Sequence, residues 1–491
     1  MLAVHLLIIA LILWWIRFLW SRRRFYMLML QLPGKMGLPL LGIALEHLIK
    51  KRGMTFRSEF MDKHGSTVLS WLGPVPLLVT RDPTIIKDVL VSSECINKSS
   101  HTVSAMNNCI GFGLLALREP IWSVRRKLMN PAFKTNVLLF FFPILNDETK
   151  KLVTLLDTFI GQGETDVLRD ILRWSFRVSI KTTLGSDVHD DENFKNNKLM
   201  ESYQSIASIV TLNTVMPFLQ NNLIAKVCGI EKRRLKDADL INTTLKNIID
   251  KRLKCNSENT SLHIPNTVIN RAIKLYRDGD ISYEDVASEC SIMISAAFET
   301  SGLTVWHTLI LLAMFPNYQD LAYEELKRVF PTREDFEVTD EDMQQLTYLD
   351  RVVNESLRLL PAIPFLPRET SEDFRLSNGI LVPRGVTIGI DIFSTHRNPD
   401  VWGSGAGTFN PDNFLTENIL ERHPYAFIPF SKGKRNCIGW KFALMTAKLG
   451  LAKILRNFEV GTTFRYEDLE FVDNFVMELA QSPKLEFKRR G

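Results

Sequence analysis

The strongest indication of chemistry lies around Cys437, in the segment FSKGKRNCIG that spans residues 430–439. Three basic side chains precede the cysteine, those of Lys432, Lys434 and Arg435. Basic surroundings favour the thiolate form of a cysteine, and a thiolate is a soft metal ligand. The pattern of residues 440–457 predicts a helix, and the dipole at the N-terminus of this helix would also favour the Cys437 thiolate. The alternative is a buried structural cysteine.

A second reactive group lies within a long helical pattern that opens at Ser282 and ends before Pro316. From Cys290 onward its sole charged residue is Glu299, which Thr300 follows. A carboxylate can relay protons, and a hydroxyl can orient water in a site that excludes bulk solvent. The alternative is a hydroxyl that bonds back to its own helix. The clustered polar residues favour a helix in a protein core over a second membrane span.

Two further pairs of residues have helical spacing. Trp122 and Arg126 are four residues apart, and Glu355 and Arg358 are three apart, so each pair shares a helix face. The first pair also suits an amphipathic surface helix with a basic stripe. The second suits an exposed ion pair of little energetic value, but its apolar neighbours favour burial. Removing one partner of a buried pair costs about 3–5 kcal/mol.

The N-terminal region predicts a membrane attachment. Residues 1–20 are almost entirely apolar and an arginine cluster follows at 22–24, which predicts a transmembrane anchor with the arginines on the cytosolic side. A cleaved signal peptide is disfavoured because the charge follows the apolar run. Residues 21–45 are basic and then rich in proline, and predict a stiff hinge. Residues 46–491 would form the catalytic domain.

Composition narrows the class of protein. The chain has 491 residues, 45% of them hydrophobic, and a net charge of +5, which supports a large core and does not suggest a nucleic-acid binder. Its six cysteines are scattered, so neither a disulfide framework nor a zinc pattern is indicated. Short strands are predicted at 68–71, 76–79 and within 362–390. The fold class is therefore mainly α with minor β, in one intertwined domain.

The segment at Cys437 resembles the F-x-x-G-x-R-x-C-x-G haem-binding motif of the cytochrome P450 family, with every fixed position filled. Further matches occur in the family's order, at W-x-x-x-R, the acid–Thr helix and E-x-x-R. The resemblance implies a cytochrome P450 fold with an N-terminal transmembrane helix, and haem as the cofactor. It implies that Cys437 is the axial thiolate ligand of the iron. It also implies haem contacts by the residues Trp122, Arg126, Arg368, Phe430, Arg435 and Gly439.

By the same resemblance, Glu299 and Thr300 would be the catalytic residues for oxygen activation, and Glu355 and Arg358 would brace the haem loop. Two positions depart from the family: Ala297 replaces a usual glycine, and Asn413 replaces a third arginine that joins Glu355. Ala296 occupies a position where some relatives carry a glutamate esterified to haem, so a non-covalently bound haem is predicted.

The implied activity is a monooxygenase that places one oxygen atom on a lipophilic small molecule, which is a fatty acid, a hormone or a xenobiotic. The chain most resembles microsomal members of the fatty-acid hydroxylase clan, and its residues FETS at 298–301 resemble those of insect members. Electrons would come from NADPH-cytochrome P450 reductase, with cytochrome b5 as a second donor. The protein would lie at the endoplasmic reticulum membrane, with its catalytic domain in the cytosol. A basic face for the redox partner would combine Lys432, Lys434 and Arg435 with Arg125 and Lys127. The alternatives are an isomerase or dehydratase of lipid hydroperoxides and a non-catalytic haem or lipid carrier.

Overall fold

The computed structural model describes residues 2–29, 31–35, 53–72, 75–111, 113–185, 197–255, 267–332, 335–472 and 474–490. The helices in this part of the chain are α1 Leu2–Ser21, α2 Arg23–Met29, α3 Gly53–His64, α4 Pro83–Val91, α5 Ser100–Ile110, α6 Ile121–Met129, α7 Thr135–Leu139, α8 Phe142–Asp157, α9 Leu168–Leu184, α10 Lys198–Val215, α11 Asn222–Val227, α12 Ile230–Cys255, α13 Val268–Arg277, α14 Tyr283–Met314, α15 Pro316–Val329, α16 Asp340–Gln345, α17 Thr347–Leu359, α18 Ile392–Thr395, α19 Pro399–Trp402, α20 Thr416–Glu421 and α21 Trp440–Asn457. Short 3-10 turns lie at Asn130–Phe133, Pro217–Gln220, Pro411–Phe414 and Tyr466–Asp468.

The strands are β1 Gly34–Lys35, β2 Thr67–Leu72, β3 Val75–Thr80, β4 Phe365–Glu369, β5 Phe374–Arg375, β6 Leu381–Val382, β7 Thr387–Asp391, β8 Phe458–Gly461, β9 Phe471–Val472, β10 Glu478–Leu479 and β11 Glu486–Arg489. The largest sheet has the order β1-β2-β3-β7-β4, in which β2 and β3 are antiparallel and β3 and β7 are parallel. The mainly helical fold with minor sheet is confirmed.

Helix α14 forms the centre of the helical core. Ser282 caps it and forms a capping box with Asp285. Its C-terminal half is buried, including Trp306 and His307, so protein and not lipid surrounds it. Helix α9 packs closely along it, and a Cβ placed at Gly302 would lie 3.0 Å from Leu172 Cδ2. The predicted core helix is therefore confirmed.

Helix α1 has the character predicted for a membrane anchor. Its window Val4–Ser21 has a mean hydropathy of 1.9 and none of it is buried against the protein. Helix α2 behaves differently, because it packs on the large sheet. Phe25 and Leu28 are only 4% and 2% exposed, and the Phe25 ring meets Trp71 edge-on at 4.6 Å. The part of the predicted hinge from 36 to 45 lies outside the described residues.

Candidate active site

The loop before α21 presents Cys437 through a set of tight turns. The backbone N–H of Cys437 donates to the carbonyl of Phe430 at 2.9 Å, which closes the loop. Gly433 has φ of +77°, and a Cβ there would lie 2.1 Å from the carbonyl oxygen of Leu90. Only glycine fits this position without moving the backbone. Helix α21 begins at Trp440 as predicted, so the thiol lies just before a helix N-terminus.

Burial raises the pKa of the Cys437 thiol above its ordinary value. A hydrogen bond from the Gly439 backbone and the charges of Arg126 and Lys98 act in the opposite direction but do not outweigh burial. The basic neighbours therefore lower the pKa of the thiol in the direction that the sequence predicts, but burial raises it more strongly. A coordinated metal ion removes the thiol proton by itself, so the position remains suited to a ligand.

Helix α6 contacts the Cys437 loop through both residues of its predicted pair. Trp122 is buried, and the guanidinium carbon of Arg435 lies 4.8 Å from the centre of its ring. Arg126 donates from Nη1 to the carbonyl of Asn436 at 2.8 Å and from Nη2 to its side-chain oxygen at 3.0 Å. The predicted same-face pair is confirmed, and both side chains adjoin the residues next to the thiol.

Several cations converge beside this loop. Arg368 is 1% exposed, and burial lowers its pKa to about 10. Burial, and then repulsion from Arg368, lowers the pKa of Arg435 to about 9. The sequence did not indicate Lys98 as a member of this group. Burial, and then repulsion from both arginines, lowers its pKa well below the ordinary value. Within the described ranges no carboxylate bonds to these three side chains, so the cluster suits a ligand with more than one negative charge.

The middle of α14 carries the predicted acid and alcohol. Ala296 is exposed there although most of the helix is buried. Thr300 Oγ1 donates to the carbonyl of Ala296 at 2.7 Å, which is the local arrangement that the sequence left open as the alternative. Burial, followed by repulsion from Glu478, raises the pKa of Glu299 to about 7. In the described part of the chain no hydrogen bond joins Glu299 or Thr300 to the Cys437 loop.

Glu355 and Arg358 form the buried pair that the spacing predicts. Both side chains are 0% exposed, and Arg358 Nε and Nη2 each donate to the Glu355 carboxylate at 2.7 Å. Arg358 Nη1 also donates to the carbonyl of His396 at 2.8 Å, and Nη2 to that of Thr408 at 2.9 Å. The pair thus joins α17 to the chain that leads toward the Cys437 loop.

The predicted basic face is wrong in two of its members. Arg125 is buried and forms ion pairs with Asp285 at 3.1 Å and Glu289 at 2.9 Å, which tie α6 to the start of α14. Arg435 is also buried. The i, i+4 spacing of Asp285 and Glu289 shows that the two carboxylates share one helix face, but it does not identify Arg125 as their partner. Lys127 and Lys434 remain exposed.

A pocket of about 1290 Å³, part of it continuous with bulk solvent, lies between the large sheet and helices α3, α5 and α10. Its lining includes Thr211, Phe365 and Phe475. These residues lie in three of the apolar segments for which the sequence predicts a place in the substrate pocket, 205–235, 362–368 and 474–480. The contributions of α3 and of strands β2 and β3 were not predicted, because nothing in a short strand's sequence shows which helix covers it.

Comparison with known proteins decides the family. The protein-family model described as "Cytochrome P450" matches residues 32–486. The chain belongs to the cytochrome P450 family. It is 55% identical over 491 residues to "Probable cytochrome P450 313a2" of Drosophila melanogaster, covering 100% of both chains. It is 54% identical over 477 residues to "Probable cytochrome P450 313a3" of the same insect, covering 97% of both. The predicted insect affinity is confirmed.

As a P450, the protein is a monooxygenase whose cofactor is a haem held by a cysteine thiolate. The residues present fit this group. The exposed Cys437 lies near the buried Arg368 and Arg435, which bond to no carboxylate in the described part of the chain. Haem would supply an iron for the thiolate and propionates for these cations. "Cytochrome P450 4c21" of Blattella germanica is a more distant relative, 28% identical over 458 residues and 90% of each chain.

Proposed function

We propose that this P450 inserts one oxygen atom into a lipophilic small molecule, with Cys437 as the axial ligand of its haem. The bound haem supplies oxygen activation, and the chain's residues position it and handle protons. The single observation that carries the assignment is the cation cluster of Lys98, Arg368 and Arg435 beside the Cys437 thiol. These cations and Arg126 would hold the haem propionates, and Trp122 would pack against the propionates. Gly439 has no side chain, so it would leave room for the flat haem ring near Phe430.

Glu299 and Thr300 are the proposed proton-handling residues. A carboxyl group with a pKa of about 7 can both give and take a proton near neutral pH. The Thr300 hydroxyl donates to Ala296, so its lone pairs remain available to accept a hydrogen bond. Ala296 itself offers no carboxylate, so the haem should be recovered free of protein after acid denaturation.

The proposed electron source is NADPH, through NADPH-cytochrome P450 reductase and with cytochrome b5 as a second donor. The exposed Lys127 and Lys434 support an acidic partner on this side of the protein. The proposed location is the endoplasmic reticulum membrane, with the catalytic domain in the cytosol. The apolar helix α1 and the arginines that follow it support this placement.

The test is a carbon monoxide difference spectrum of the reduced protein, together with NADPH-dependent oxygenation of lipophilic probes. We expect the red-shifted band of a thiolate-bound haem in the wild type and in Cys228→Ser, a control at an exposed cysteine. Cys437→Ser should lose the band. Retention of the band in Cys437→Ser would overturn the ligand assignment. Reductase-independent turnover of a lipid hydroperoxide, without NADPH-dependent oxygenation, would favour the isomerase instead.

A further inference from the structure

One face of the large sheet forms a wall of the pocket described above. Strand alternation places Val68 and Ser70 of β2 on this face, beside their antiparallel partners Val79 and Leu77 of β3. Leu69 on the opposite face belongs to a separate apolar core. Within β2 and β3 this wall is therefore an apolar surface that Ser70 interrupts, and Thr387 of the neighbouring β7 is a further hydroxyl of the same sheet in the lining.

The Ser70 hydroxyl is the unusual group in this wall. Ser70 is 7% exposed, and its Oγ has no hydrogen-bond partner among the residues that the structure describes. Other hydroxyls of the lining are bonded within the protein: Thr214 Oγ1 donates to the carbonyl of Val210 at 2.8 Å, and Thr387 Oγ1 bonds to Ser99 Oγ at 3.1 Å. A buried hydroxyl without a partner costs about 1–3 kcal/mol. A ligand group that bonds to Ser70 would recover this cost.

The charges of the lining do not favour an anion. Arg57 binds Asp391 through Nε at 3.0 Å, and that carboxylate is 0% exposed. His101 Nε2 lies 2.8 Å from the carbonyl of Thr214, and burial lowers the pKa of its ring, so it is neutral at physiological pH. Among the lining residues that the structure describes, no further cation is present. A carboxylate entering this pocket would lose hydration without gaining a counter-charge.

The pocket approaches the candidate active site from one side. Phe365 and Pro367 of β4 line it, whereas strand alternation places the buried Arg368 on the opposite face of the same strand. Asn474 also lines it and hydrogen-bonds to Glu478, the residue whose charge acts on Glu299. A long molecule anchored at Ser70 can therefore extend toward the proposed proton-handling residues.

We propose that this pocket binds the uncharged polar end of an elongated lipophilic substrate, with Ser70 Oγ as its hydrogen-bond partner. The substrate class is a long-chain alcohol, ester or ketone, and free fatty-acid carboxylates are disfavoured. The proposal rests on the proposed function, because it places the polar end of the same substrate whose other end is oxidised. It differs from an expectation based on fatty-acid hydroxylases, whose substrates carry a carboxylate.

The test measures binding of three radiolabelled probes of equal chain length: 1-decanol, decane and decanoate. Equilibrium dialysis at pH 8 would use the full-length protein in lipid nanodiscs, with empty nanodiscs as the blank. We expect the wild type to bind decanol at least tenfold more tightly than decanoate. Ser70→Ala should weaken decanol binding about threefold to tenfold and leave decane binding unchanged. The matched control Thr214→Val, whose hydroxyl bonds to its own helix, should leave the order of the probes unchanged.

Two results would overturn the proposal: decanoate binding as tightly as decanol in the wild type, or Ser70→Ala weakening decanol and decane equally. Dialysis reports binding whether or not the haem is active, so these outcomes are independent of the proposed chemistry. A missing carbon monoxide band with the expected probe order would refute the proposed function alone. A normal band with the wrong probe order would refute the proposed substrate class alone.

Discussion

Asn413 Nδ2 donates a hydrogen bond to Glu355 Oε1 at 3.1 Å, from the position where the family's third arginine is expected. The cation missing there is supplied from elsewhere in the chain. Arg422 donates to the backbone carbonyl of Asn413 and, at 3.3 Å, to its side-chain oxygen. The Trp402 ring lies 4.4 Å from the guanidinium of Arg422 and 4.8 Å from that of Arg358. Arg422 therefore acts on Glu355 through an amide.

Arg422→Ala should lower the free energy of unfolding by about 1–3 kcal/mol, because a charge-assisted bond to a half-buried amide is lost. Denaturant unfolding of the haem-loaded protein, with the haem-to-protein ratio, would measure it. Arg351→Ala removes an ion pair to the exposed Asp412 and a contact with the Tyr348 ring at 4.8 Å, and should cost at most about 1 kcal/mol. Adding Asn413→Arg to Arg422→Ala should restore stability. Equal losses in both single variants would contradict a bracing role for Arg422.

Glu299 should make stability depend on pH near neutrality. Its pKa of about 7 in the folded protein exceeds that of an unfolded glutamate, about 4.3. The folded state thus holds the proton more tightly, and this stabilisation is complete below the unfolded pKa and is lost as pH rises through 7.

The stability advantage of Glu299→Gln over wild type should therefore be larger at pH 8 than at pH 5.5 by about 1–2 kcal/mol. Thermal unfolding at several pH values would measure it, with Glu284→Gln, an exposed position on the same helix, as the control. The rate of NADPH-dependent oxygenation should fall above pH 7 in wild type and lose this dependence in Glu299→Gln. A pH-independent difference between the two proteins would refute the raised pKa.

Two glycines of the Cys437 loop should respond differently to alanine. Gly433→Ala forces a side chain into a backbone with φ of +77° and against the Leu90 carbonyl, so it should cost at least about 2 kcal/mol in the protein itself. At Gly439 a Cβ would meet nothing closer than Phe133 Cε1 at 3.8 Å. Gly439→Ala should therefore leave apoprotein stability unchanged and reduce haem content. Equal apoprotein destabilisation by both substitutions would refute the separate roles.

The sequence predicts those parts of the site that arise from local pattern. Helical spacing placed Trp122 and Arg126 on one face, and helix signals placed α14 and α21 within a residue of their bounds. Local pattern also showed that Glu355 and Arg358 could pair. These features depend on residues close in the chain, where periodicity and capping rules apply.

The features that sequence missed depend on contacts between distant segments. Arg125 looked like a surface cation, but its partners are more than 150 positions away, on α14. Lys98 and Ser70 gave no signal in the sequence. Only the fold shows that Lys98 joins buried arginines and that the Ser70 hydroxyl has no hydrogen-bond partner within the described ranges. Arg422 compensates for Asn413 from beyond a separate short helix, which no local motif records.

The junction between the anchor and the catalytic domain should contribute to stability. A chain that begins at Arg23 loses α1 but keeps α2 packed on the sheet. It should therefore unfold at the same denaturant concentration as the full-length protein, but it should no longer bind lipid vesicles in a flotation assay. A chain that begins at residue 30 also loses the buried Phe25 and Leu28, at a cost of roughly 3–6 kcal/mol. Arg24→Ala separates the effects, because its ion pair with Asp373 is largely exposed and contributes at most about 1 kcal/mol. Equal unfolding midpoints for the two truncated chains would show that α2 is only a tether.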